Sequence, residues 1–497
     1  MSKAQLTSLS LCHSRAALSD ATNRDSALLW RSARRFLFFS LILAAVDFVY
    51  QFLFQSESFP NYLVWYAAIV AMCGLWGPAI ARQEASRIVA WSTTLFSIFG
   101  LCASFATRGA TDRVDLSGIR KFVTAEACST AAVFVAFLAL YAVTGGLFVS
   151  PYNAHVAQAY AFLHGHTYID PAPEFIEHVD FRGHSYQLHP PLPAILLMPF
   201  VAIWGMDTNQ SLYCLIGGAV DVALAWRLLG RMGLSTRSRC WLTIFLGAGT
   251  TMWFEAINGG SWDLTMVVAV GFTIAALSEI YGQARPGVIG MLAGLSTLAR
   301  YDLALDFPIF VALIYLRRRN LRELVWIMPG YLLAAVVYVA FNEARYSTIF
   351  DVGLFLWIGA RTQLFSLRFF VQDFYTLFIM NPIYDDNFPY LHPTGRGLAL
   401  TFTAPAFVLA LRPSIKERMT QLMMAGALLA MLPSLFYFSN GEAQFGARHY
   451  VHAYPFLFVL LAMGVPRTGV DQLTKALIIT SVVSISFWIW HVRVWGL

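Results

Sequence analysis

The chain has 497 residues, 58% of them hydrophobic and only 12% charged. Soluble globular chains carry about 25% charged residues, so a soluble fold is excluded. The net charge of +6 lies mostly in short loops, the distribution that orients spans by cytoplasmic Lys and Arg, and it gives no reason to expect a nucleic-acid partner.

Apolar runs near the ~20 residues that cross a bilayer recur from Phe36 onward. They are continuous, whereas the strands of a membrane barrel would alternate apolar and polar residues. The expectation is an all-α polytopic membrane protein with about 11–14 transmembrane helices and long extracytoplasmic loops.

Residues 1–35 are polar and end in Arg31, Arg34 and Arg35, too long and too polar a lead for a cleaved signal peptide. Apolar segments at 36–54, 62–81 and 87–106 follow, then a basic interval with Arg108, Arg113, Arg120 and Lys121. Together, 36–127 reads as an accessory membrane unit. A clear span at 128–149 then leads into the polar stretch 150–193, which holds six of the eleven histidines. Connection alone needs only a short turn, so a loop of this length is expected to carry binding or chemistry.

Pro190-Pro191 opens a short apolar piece, 190–206, suited to an interfacial or re-entrant helix. Spans are expected at 211–229, 241–256 and 262–282. Arg227, Arg231, Arg237 and Arg239 mark a cytoplasmic end, which places 150–193 outside. The stretch 288–316 is interrupted by Arg300, Asp302 and Asp306 and reads as two short helices with a polar break. A span at 323–343 precedes a second polar interval, 343–396. Spans at 397–411, 419–438, 449–465 and 473–491 finish the chain, with a third external loop at 439–449. The core is thus 128–465, followed by a C-terminal helix within 466–497.

The three external segments supply carboxylates (Asp170, Glu174, Glu177, Asp180, Asp385, Asp386, Glu442), arginines (Arg182, Arg361, Arg368, Arg448) and many aromatics. Moving a sugar from a lipid phosphate needs this inventory. A carboxylate takes the acceptor's proton. An arginine stabilises charge on the departing phosphate. Aromatic and apolar surfaces hold sugar and lipid.

The strings NAHVAQAYAFLHGHTY, DFRGHSYQLHPPLPAILLMP, GMLAGLSTLARYDLALDFP, FNEARYSTIFDVG, NFPYLHPTGRGLALTFTAP and QFGARHYVHAYPFL all lie within the core 128–465. In this order and spacing the chain resembles the GT-C superfamily of polytopic glycosyltransferases, of the protein mannosyltransferase and lipid A aminoarabinose transferase type. The resemblance implies an inverting transfer from a polyprenyl-phosphate sugar donor to a glycan, lipid or protein acceptor. It also implies an integral protein of the bacterial inner membrane, with its active site on the extracytoplasmic face. The family's acidic base usually follows the first core span. Here Ser150 to His155 holds no acid, and Asn153 and His155 stand in its place. Asp180, then Asp170 and His155, are the replacement candidates for the catalytic role. Arg448 and Arg182 are the candidates for the donor phosphate, and Asn153, Tyr186, His189 and Glu255 for sugar or acceptor. Glu255 and Asp263 flank the WFEAINGGSWD turn, while Arg300 and Asp302 read as a pair that satisfies a broken helix.

His164 and His166 are two apart and His184 and His189 five apart, but no HExxH or Cys/His zinc spacing occurs. No metal is assigned, although a divalent ion held by these histidines and Asp180 stays open. The six cysteines show no CxxC pair, and no GxxxxGK[ST] supports ATP use. Two other readings remain: a transporter or flippase of a lipid-linked saccharide, and a polymerase or ligase of surface polysaccharide. An enzyme should gather Asp180, Arg448 and His155 within ~10 Å of one another, because reacting groups must meet around one bond.

Overall fold

A computed structural model describes residues 125–146, 148–173, 176–359, 363–386, 390–441, 444–466 and 469–495. The polar segment 1–35, the apolar segments 36–54, 62–81 and 87–106, and Glu174, Arg361 and Glu442 lie outside the described residues.

The described chain is mostly helical. Its helices are α1 (Ala125–Gly145), α2 (Ala154–Leu163), α3 (Leu192–Trp204), α4 (Gln210–Arg231), α5 (Thr236–Ala248), α6 (Met252–Asn258), α7 (Ser261–Tyr281) and α8 (Pro286–Ala299). They continue with α9 (Phe307–Arg318), α10 (Met328–Tyr346), α11 (Gly353–Ile358), α12 (Phe370–Phe378), α13 (Leu400–Thr403), α14 (Arg418–Met431), α15 (Tyr454–Met463) and α16 (Gln472–Trp495).

Among the described residues, 6 helices are long and apolar enough to cross a membrane, or up to 7 if the bent pair α5–α6 is one span. That is fewer than the apolar runs suggest. The run 397–411 is split between the four-residue α13 and a 3-10 turn at Pro405–Leu411. The run 449–465 begins as a 3-10 turn, Arg448–Ala453, and continues as the ten-residue α15. Eight residues of α15 are buried, so its apolarity serves the interior of the bundle. A helix apolar all round can be buried in protein as well as in lipid. The break in 288–316 is where the polar residues place it, as a 3-10 turn Tyr301–Asp306 between α8 and α9.

Helices α4 and α7 pack on each other at the centre, with α1 against α4 and α8 between α7 and α10. Where α8 crosses α10, Gly290 and Gly294 lie against the backbone of Ile327 and Gly330, leaving no room for a side chain. At one end of the bundle, helix termini are closed by ion pairs. Arg239 grips Glu126 with two nitrogens at 3.0 and 2.5 Å. Arg412 reaches Asp471 at 2.6 Å and Thr474 at 2.7 Å. Glu279 accepts from Arg285 at 2.8 Å and Arg231 at 3.3 Å. The other end carries the three polar segments. There β1 (His178–Phe181) and β2 (His184–Gln187) form an antiparallel hairpin. Its two-residue turn, Arg182–Gly183, has φ of 49° and 85°, the geometry that matches the strands' right-handed twist. A parallel pair, β3 (Arg396–Leu398) with β4 (Gln444–Gly446), ties the second polar segment to the third.

Candidate active site

The first polar segment is fastened to the ends of two central helices before α2 begins. Ser150 N donates to Ser211 Oγ at 3.1 Å, and Ala154 N donates to Ser261 Oγ at 2.8 Å. The Tyr152 carbonyl accepts from Gln210 Nε2 at 3.0 Å and Ser261 Oγ at 2.7 Å. The closure depends on Gly259, whose φ is +69° and whose missing side chain makes room for Ser211. One turn on, His155 is fully buried. Its Nε2 lies 2.9 Å from both the Ser261 carbonyl and Thr265 Oγ1. Burial lowers the imidazole to about 4, so the ring is neutral at pH 7.

The bend after α6 brings two carboxyl groups together. Asp263, in the first turn of α7, accepts from Asn258 Nδ2 at 2.7 Å and from Gly260 N at 2.8 Å. Glu255, on α6, faces it closely enough for each to act on the other. Both are buried and share a hydrogen bond, and among the described residues Glu255 Oε2 and Asp263 Oδ1 have no other donor. Buried acceptors are rarely left open without a functional reason or a bound water or ion.

Arg448 arrives from the third segment, and its guanidinium sits 4.7 Å from the centre of the Trp262 ring. Gln444 holds the approach. Its Nε2 donates to the carbonyls of Arg396 at 2.9 Å and Asn440 at 2.7 Å, and its Oε1 accepts from Arg448 N at 3.4 Å. The Arg448 charge acts on Glu255, Asp263, Glu177, His189 and His449 alike. Glu177 is exposed where the first segment approaches Arg448. Partial enclosure by protein raises its carboxyl, and Arg448 opposes that rise. His189 is pushed well down, first by burial and then by neighbouring groups that include the charged Arg448 and Arg300. Arg300 is itself held by two bonds to Asp302, at 3.2 and 2.7 Å, and the oxygen that accepts the shorter one, Oδ2, also lies 3.2 Å from His452 Nε2.

The structure thus brings together four expected residues, Arg448, His189, Glu255 and His155, whose ring centre lies 5.3 Å from that of His189. Other expected residues have separate duties. Asp180 is 77% exposed at its side chain and accepts from Ser185 Oγ at 2.6 Å. Asp170 accepts from His184 Nδ1 at 2.6 Å and Ser185 N at 2.7 Å, closing the loop on β2. Slight burial works to raise the Asp170 carboxyl, but those two bonds outweigh it and hold the group below its usual range. Arg182 donates to Ser347 Oγ at 2.9 Å, tethering the hairpin just past α10. Tyr186 is buried with its ring 5.5 Å from that of Tyr346. Asn153 precedes α2 without making a side-chain cap bond.

Trp262 and His449 were not singled out by sequence. Glu177 stood only among the loop acids, Asp263 only as a helix-end residue and Arg300 only as half of a structural pair. The signal for Asp263 and Trp262 lay in the GGSWD turn. Among the described residues, no group of three or more His, Cys, Asp or Glu is placed to hold a metal ion. No protein-family model matches the chain, and neither a curated protein nor a solved structure matches it.

Proposed function

We propose that the chain is a membrane glycosyltransferase of GT-C architecture. It takes a sugar from a polyprenyl-phosphate donor and passes it to a glycan, lipid or protein hydroxyl at the extracytoplasmic face of a bacterial inner membrane. The observation that carries this reading is the meeting of all three polar segments around Arg448. That arginine shares its field with an exposed glutamate, a buried carboxyl pair and a tryptophan face. The site lies at the end opposite the Arg-rich closed end, which the positive-inside rule assigns to the cytoplasm.

In this mechanism the acceptor oxygen attacks the anomeric carbon from the side opposite the phosphate. The carbon–phosphate oxygen bond breaks with its electron pair going to the phosphate, and the configuration inverts. Glu177 takes the acceptor proton, the role first expected of Asp180. Arg448 neutralises the departing phosphate, aided by Arg300. Trp262 offers a face for the sugar ring, and the Glu255–Asp263 pair holds Arg448 and accepts from sugar hydroxyls.

The test is transfer of labelled sugar from polyprenyl-phosphate donors by purified protein in lipid. Turnover should collapse in Arg448→Ala and Glu177→Gln while folding stays intact. No turnover with any donor, together with movement of donor across the bilayer, would overturn the reading in favour of a flippase.

A further inference from the structure

The span Arg322–Tyr346 is 25 residues long and reaches the end of the bundle that carries the polar segments. Ile349 follows three residues after its last residue, at most about 11 Å further along the chain. From there the surface is unusually apolar for a region beyond a span. Phe350 is 66% exposed, Phe355 56% and Leu367 80%, and Ile349, Trp357 and Phe365 are exposed as well. A chain facing water rarely exposes so many large apolar side chains over so short a stretch.

This surface is fixed at both ends to span termini at the same membrane face. At the start, α10 runs directly into it, and α11 packs on β1 of the hairpin. At the finish, Ser366 N donates to the Phe436 carbonyl at 2.9 Å, and Phe438 N donates to the Leu364 carbonyl at 3.0 Å. Phe436 is the last residue of the span Arg418–Phe436. The patch is therefore held at the level where two spans leave the hydrocarbon. Below it, past the exposed Glu343 and Ser347, the flank of the span is apolar, and Val336 is 64% exposed on a segment only lipid or another apolar surface can cover.

We propose that residues 349–358 and 364–370 form an interfacial seat whose apolar side chains lie in the outer acyl boundary of the bilayer. The occupant is the lipid surface itself. Position at the end of the apolar flank of α10 and attachment to two span ends argue for lipid over a protein partner. A short helix with aromatic and aliphatic side chains lying in the membrane plane suits that depth.

The experiment places nitroxide labels on cysteines at positions 355 and 367 (Phe355→Cys, Leu367→Cys) in full-length protein whose six native cysteines are replaced, reconstituted in phosphatidylcholine and phosphatidylglycerol vesicles. Collision with oxygen and with a water-soluble nickel complex is measured, using Val336→Cys as the lipid reference and Asp180→Cys as the water reference. Both labels should match the lipid reference, with oxygen access several-fold above nickel access. Labels open to nickel would overturn the proposal and leave a water-facing surface available to another protein. Labels shielded from both reagents would also overturn it, assigning the patch to a second copy or to residues 1–124. If the cysteine-free background fails to fold, quenching by brominated lipids gives the same decision. Wild type should be quenched more than Trp357→Phe, and equal quenching would refute the seat.

Discussion

The two ends of the helix bundle use the same residue types in opposite ways. At the closed end two arginines are gripped by acids of the chain: Arg412 binds both Asp471 and Thr474, and Arg239 takes both oxygens of Glu126. At the site end one arginine is shared among several acids and histidines, and among the described residues two buried carboxyl oxygens have no donor beyond the bond their own groups share. Complete pairing inside the chain fastens helix ends. Incomplete pairing leaves acceptors that a ligand can satisfy, at a cost in stability the rest of the fold must cover.

Exchanging one arginine from each end separates the two uses most sharply. Arg448→Ala is expected to lower kcat by about 10²- to 10³-fold, the scale for losing one charge-stabilising group, with little change in thermal unfolding. Arg412→Ala should cost roughly 2–3 kcal/mol of stability through the loss of its charged bonds. Its turnover per folded molecule should stay unchanged. Transfer rates and unfolding curves on the same preparations decide this. An Arg448→Ala protein that merely unfolds like Arg412→Ala would erase the distinction between the ends.

The next effect concerns acid. Enclosure raises the Glu177 carboxyl, and a general base works only when deprotonated. Activity should therefore be full above that raised value and fall as pH drops through it, at a pH above the ~4.3 of an ordinary glutamate. Profiles of kcat/KM against pH test this. Glu177→Gln should remove the acid limb along with most of the rate. A limb that survives in Glu177→Gln would move the base elsewhere.

His155 gives a smaller effect, on stability. Its folded value of about 4 lies below the usual 6.5, so the unfolded chain binds a proton that the folded chain refuses. The sign is destabilisation as pH falls from about 6.5 toward 4, saturating at about 3 kcal/mol. Unfolding in detergent should thus lose more stability between pH 7.5 and 4.5 in wild type than in His155→Gln, which keeps a donor for the Ser261 carbonyl. Equal losses would mean that His155 is not the group refusing the proton.

Much of this plan was legible in the chain because polar residues inside apolar runs have few explanations. Arg300, Asp302 and Asp306 marked the break between α8 and α9, and Arg448 marked the site end. The spans at 397–411 and 449–465 were over-read because hydropathy does not distinguish a lipid-facing surface from a protein-facing one. The eight buried residues of α15 show how much apolar sequence the interior consumes. The carboxyl pair was hidden for another reason. An acid in a first helical turn reads as a cap, which Asp263 also is through Gly260 N, and only the bend after α6 brings Glu255 to it.

The smallest predicted effect tests the finest of these distinctions, between two acids three positions apart. Glu177 precedes the hairpin and shares the field of Arg448, whereas Asp180 sits within β1 opposite Ser185. The Arg182–Gly183 turn sets that register, and with it the outward direction of the Asp180 carboxylate. A surface acid with one hydroxyl partner contributes little. Asp180→Asn should change stability by no more than about 0.5 kcal/mol and leave transfer near the wild-type rate, measured beside Glu177→Gln. A large loss of transfer in Asp180→Asn alone would place the base on the hairpin face and exchange the roles of the two acids.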